Sequence, residues 1–127
     1  MTKVSLDIWG RAFELEIVYD VYQDEEVLKE QVIAYERFIA NAPHLLEEAE
    51  CEVKKYCMRV NKEDILENEI SNIFKYVKPK ALYIKRNSGE DRIVALLCDY
   101  RFNPDDGIAI VFKNEAYFAI GTQNIIL

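Results

Sequence analysis

Val4, Leu6 and Ile8 alternate with Ser5 and Asp7, the two-residue period of a strand with one buried face. Trp9-Gly10-Arg11 predicts a turn, with Gly10 supplying the permissive backbone. Phe13, Leu15, Ile17, Tyr19 and Val21 then resume the alternation against Glu14, Glu16, Val18 and Asp20, completing an N-terminal β-hairpin with an acidic outer face. The period next lengthens to that of a helix. Leu28, Gln31/Val32, Tyr35 and Phe38/Ile39 predict an amphipathic helix over residues 24–40, with Asp24 as N-cap and Glu25 and Glu26 beside the positive end of its dipole. Asn41-Ala42-Pro43 reads as a break, with Pro43 in the first turn of a second helix. That helix takes its stripe from Leu45/Leu46, Ala49, Val53, Tyr56/Cys57 and Val60. Asn61 is a candidate cap for a third, shorter stretch through Ile65 and Leu66.

After Pro79 the two-residue period returns. Leu82 and Ile84 precede a polar turn at Asn87-Ser88-Gly89-Glu90. Arg92 to Tyr100 is apolar on both parities, which fits a central strand covered on both faces, although periodicity alone also allows a buried helix. Asn103-Pro104-Asp105-Asp106-Gly107 is a strong turn signal, and Asn114-Glu115 is a second turn between two further strands. The ending Ile125-Ile126-Leu127 is apolar enough to dock. The expected architecture is one α+β domain over residues 1–127: an N-terminal β-hairpin, two to three helices, then an antiparallel strand meander forming one sheet packed by helices.

Composition narrows the possible functions. The longest apolar run, Ile93 to Cys98, is far short of the roughly 20 residues of a membrane helix, and the N-terminus has no pattern of a secretory signal. Cys51, Cys57 and Cys98 form no Cys-x-x-Cys pair and are odd in number, so a disulfide framework is not implied and the chain reads as cytoplasmic. The net charge of −7 is unevenly spread. Residues 1–50 hold twelve acids and four bases, whereas residues 51–127 hold eleven acids and twelve bases. Such a balance argues against a nucleic-acid partner, which needs clustered cations, and favours a basic protein or simple solubility.

Motifs for catalysis are absent from the sequence. His44 has no His or Cys partner at metal-binding spacing, and none of the four glycines belongs to a phosphate-binding loop. Neither a metal nor another cofactor is therefore expected. Asp99, Asp105 and Asp106 are the one acidic set that a metal-assisted hydrolase would use, although turn chemistry also accounts for the last two. The remaining signal is surface charge. Asp20, Asp24, Glu25, Glu26 and Glu30, with Tyr22 among them, and Glu47 and Glu48 further along read either as a solvated helix face or as an acidic docking patch.

Two stretches carry a family resemblance. Asp99-Tyr100-Arg101-Phe102-Asn103-Pro104-Asp105-Asp106-Gly107 with the closing Ile120-Gly121-Thr122-Gln123-Asn124, and Leu6-Asp7-Ile8-Trp9-Gly10-Arg11-Ala12-Phe13 with Ile73-Phe74-Lys75-Tyr76-Val77-Lys78-Pro79, are similar to a family of uncharacterised bacterial domains. Domains of this kind often accompany toxins as immunity proteins, and the resemblance implies no catalytic residues. The leading expectation is a non-catalytic immunity protein that neutralises a basic toxin domain through the acidic patch. The alternatives are the hydrolase above and a structural or regulatory homo-oligomer that self-associates through Ile125-Ile126-Leu127 or an edge strand.

Overall fold

The structure, a computed structural model, describes residues 2–86 and 90–127. The chain forms β1 (Lys3–Ile8), β2 (Arg11–Tyr19), α1 (Lys29–Val60), β3 (Val77–Ile84), β4 (Ile93–Tyr100), β5 (Ile108–Lys113) and β6 (Tyr117–Gly121). Short 3-10 turns at Ile73–Lys75 and Gln123–Ile125 precede β3 and follow β6. The strands make one six-stranded sheet in chain order. Every neighbouring pair is antiparallel except β2 and β3, which run parallel with Ile17 opposite Leu82 and Tyr19 opposite Ile84.

Two features of the expected architecture are thereby corrected. The sheet is mixed rather than an antiparallel meander, and one helix of 32 residues stands in place of two to three. Both corrections have a physical cause. A parallel pair cannot be closed by a tight turn and needs a crossover, which α1 and the segment after it supply. Pro43 lies inside α1, where its ring and missing N–H cost about 3 kcal/mol in an ordinary helix. It is tolerated because Pro43 is itself exposed while the buried stripe runs unbroken beneath it through Phe38, Ala42, Leu45, Leu46, Ala49 and Val53. The third helical stretch after Asn61 is irregular chain with buried anchors at Ile65 and Ile70.

Helix α1 covers one sheet face. Phe38 meets Phe112 of β5 with ring centroids 5.2 Å apart, and Tyr56 meets Tyr100 of β4 at 6.2 Å. The opposite face holds a smaller cluster of Tyr83, Ala95, Ala109, Val111 and Ile126. Ile126 thus docks the C-terminal segment onto that face, while Ile125 and Leu127 remain exposed. Segment 92–100, ambiguous by periodicity, contains the strand β4, and Cys57 and Cys98 are buried while Cys51 is exposed. The turn expected at Asn87-Ser88-Gly89 lies outside the described residues. Among the described residues, no helix is long and apolar enough to cross a membrane.

The helix also starts later than expected. Its N-cap is Leu28, not Asp24, which sits in a turn with φ of 66°. Glu25 and Glu26 therefore precede the first turn, where Glu30 is the acid present. Gln31, fully buried, determines this boundary. Its Oε1 accepts from the Leu28 N–H at 3.0 Å, and its Nε2 donates to the carbonyls of Asp20 at 2.9 Å and Ile84 at 3.1 Å. One side chain so joins the end of β2, the end of β3 and the first turn of α1.

Replacing Gln31 by Leu removes the partner of the Leu28 N–H and of the Asp20 carbonyl, both partly buried, and one partner of the Ile84 carbonyl in the interior. Urea unfolding of Gln31→Leu is expected to show a loss of about 2–4 kcal/mol, the cost of leaving buried polar groups without partners. Pro43→Ala restores an interior helical hydrogen bond and is expected to raise stability by about 1–3 kcal/mol in the same assay.

Candidate functional site

The acidic residues singled out in the sequence occupy two separate places. Asp20, Tyr22, Asp24, Glu25 and Glu26 lie between β2 and α1, with Glu30 at the helix start; Glu47 and Glu48 lie beyond the helix midpoint. Glu30 and Glu47 are about 25 Å apart along an axis rising about 1.5 Å per residue. They do not form one compact patch.

Much of the first group is engaged in holding its own loop. Arg86 makes a two-pronged pair with Glu25, Nε to Oε1 and Nη2 to Oε2, each at 3.1 Å. The same guanidinium lies 4.2 Å from the centre of the Tyr22 ring, and the Glu25 carboxylate also accepts from the Tyr22 N–H at 3.1 Å. Asp20 accepts from the Arg86 N–H at 3.3 Å. Burial, together with the Asp20 carboxylate, pushes the Tyr83 phenol up to about 12. The hydrogen bonds from Arg86 hold the Glu25 carboxyl below its ordinary range. Asp24, Glu26 and Glu30 are exposed to solvent.

The second group meets residues from a distant part of the chain. The β1–β2 turn is two residues long, with positive φ at both Trp9 (52°) and Gly10 (84°). Glycine adopts this geometry readily, whereas for tryptophan it is uncommon and strained. A hydrogen bond from Trp9 Nε1 to the Leu46 carbonyl at 2.7 Å and packing on Phe74 hold the indole in place. Between this turn and the helix lies a recess of about 310 Å³, lined by Asp7, Trp9, Pro43, Leu46, Glu47 and Glu50. Its charged lining is wholly acidic. Glu50 is 3.5 Å from Lys54, and Glu48, in the same helical turn, is 3.8 Å from His44.

Glu47 and Glu50 share a helix face at a spacing of three, a relation visible in the sequence. The contribution of Asp7 and Trp9 was not visible, because it depends on where the hairpin lands on the helix. Among the described residues, no three His, Cys, Asp or Glu side chains form a group that could hold a metal ion. Asp99 lies 3.7 Å from Lys80, whereas Asp106 belongs to the loop before β5, where its N–H donates to Asn103 Oδ1 at 3.2 Å. That loop is closed by Gly107, with φ of 57°, where a Cβ would fall 2.4 Å from the Cys98 carbonyl oxygen. The loop geometry thus has a structural cause that involves no metal.

Fold and site together define a small α+β protein with an acidic recess between a strained hairpin turn and a long helix. The chain belongs to the family described as a domain of unknown function (DUF6985), which it matches over residues 1–127. No curated protein and no solved structure matches the chain.

Because pairing with Arg86 lowers the Glu25 pKa, its contribution to loop order is complete above 4.5, its ordinary value, and is lost as pH falls through the lower folded value. Amide exchange read by NMR should therefore show Tyr22 and Glu25 protected at neutral pH and deprotected in acid. Arg86→Ala should remove that difference.

Proposed function

We propose that this protein acts by binding, and that its acidic surface engages a basic protein, most specifically a toxin domain that it neutralises as an immunity protein. The observation that carries this reading is the recess formed by Asp7, Trp9, Glu47 and Glu50, where among the described residues the charged lining is three carboxylates beside an aromatic ring, of which Glu50 is shared with Lys54. Such a recess accepts an arginine or lysine side chain: the carboxylates offer charge-assisted hydrogen bonds and the indole offers a face to a cation. Further exposed acids on the same helix, Glu30, Glu36 and Glu48, extend negative potential along it. That field speeds encounter with a basic partner, while the recess supplies the specific contact. The charged loop around Glu25 is the outer part of the same field rather than the anchor, because Arg86 already occupies Glu25.

The test pairs the purified protein with the product of the adjacent gene in its host and measures affinity at low and high salt. Glu47→Lys with Glu50→Lys is expected to weaken binding by more than tenfold and to abolish protection of the host from that product. Asp24→Lys with Glu26→Lys should mainly slow association and flatten its salt dependence. Equal affinity in all variants, with no response to salt, would remove the basis for the proposal.

A further inference from the structure

A second recess, of about 430 Å³, has the opposite charge. It opens where β3 begins and β4 ends, lined among others by Phe74, Lys75, Tyr76, Lys78, Asp99 and Arg101. Its volume falls within the range of small-molecule sites, about 300–1,000 Å³. Lys75 is 3.9 Å from Glu67, and Asp99 is 3.7 Å from Lys80, so two of the wall charges are offset locally. Among the described residues, neither Lys78 nor Arg101 lies within ion-pair distance of a carboxylate. Both are exposed, and they leave a positive excess on a chain whose net charge is −7.

The walls are well held. The Arg101 N–H donates to the Tyr76 carbonyl at 2.8 Å, and Lys78 stands directly opposite Asp99 in the β3–β4 ladder. Tyr76 is fixed by a hydrogen bond from its hydroxyl to Glu67 and by stacking on Phe102 at 5.6 Å. Phe74 is braced by Phe13 at 5.3 Å and Trp9 at 6.0 Å. Lys78 and Arg101 thus face solvent, Arg101 also lying 5.9 Å from the centre of the Phe102 ring. Beside them are a buried Tyr76 and a half-buried Phe74 whose ring carries the Arg11 guanidinium at 4.3 Å. The cations offer charge to an anionic group, and Phe74 offers apolar contact to a planar one.

We propose that this basic recess binds a small phosphate monoester carrying a planar ring. The phosphate sits between Lys78 and Arg101, and the ring lies against Phe74 on the side that Arg11 does not cover. The ligand is small because the negative field of the whole chain repels an extended polyanion, whereas a single phosphate experiences the local excess of positive charge. This site is independent of the acidic recess and of the partner proposed for it.

Calorimetric titration with phenyl phosphate, phenol and inorganic phosphate tests the assignment. Phenyl phosphate should bind saturably and at least tenfold more tightly than either of its halves. Lys78→Ala and Arg101→Ala should each weaken it about tenfold, and Lys55→Ala on the distant helix should leave it unchanged. The altered residues are exposed, and a thermal midpoint matching that of the parent verifies that each variant is folded. Absence of saturable binding, affinity for phosphate equal to that for phenyl phosphate, or binding indifferent to both substitutions would each overturn the proposal.

Discussion

The buried amide of Gln31 is the constraint on which the arrangement of this molecule depends. A parallel pair of strands leaves its two C-terminal ends side by side, and the chain that departs from the first must cross the sheet to re-enter the second at its opposite end. Here the ends of β2 and β3 are tied by the Asp20 N–H donating to the Ile84 carbonyl at 3.0 Å, and Gln31 caps both from the helix side. Because the same side chain accepts from the Leu28 N–H, the start of α1 is fixed relative to the sheet. With a helix about 48 Å long, a small change of angle at that start would move its far end by several ångströms. The place where Glu47 meets the hairpin turn therefore depends on a clamp located more than four helical turns away.

The strands were legible because their periodicity is local. β1 and β2 carry it clearly, and the burial alternation along β1 follows it, whereas β5 and β6 are short apolar runs bounded by turn signals. The helix was legible as an apolar stripe but not as one body. A proline inside a helical pattern is read as a boundary by every local rule, and only the continuous sheet beneath Ala42 and Leu45 outweighs it. The helix start was misplaced for a similar reason. Asp24 has the side chain of an N-cap, but Glu25 is drawn aside by Arg86, 61 residues later, so the chain makes one more turn before Leu28. Parallel pairing of β2 with β3 has no periodic signature at all, since either direction buries the same parity.

The candidate site divides along the same line. Glu47 could be chosen as an exposed acid on a helix, and Trp9 could be noticed at a turn, but nothing in the sequence shows that the Trp9 N–H donates to the Leu46 carbonyl, 37 positions away, and so brings the turn beside Glu47. The basic recess was harder still, because its cations are scattered through a half of the chain whose charges nearly cancel. Folding segregates what composition averages. It sets the acidic recess on one side of the Trp9–Phe74 contact and the basic recess on the other.

The edges of the sheet are unlike each other, which bears on how copies of the molecule meet at high concentration. β6 is five residues long, and the ladder is irregular where it joins β5, between Val111 and Phe112. β1 is longer and regular, but its exposed row carries Lys3, Ser5 and Asp7. An incoming strand would find a short, twisted template at one border and a charged one at the other. Both are familiar devices by which natural sheets discourage fibrous growth, and here they leave the two recesses, rather than the strand borders, as the surfaces most suited to selective contact.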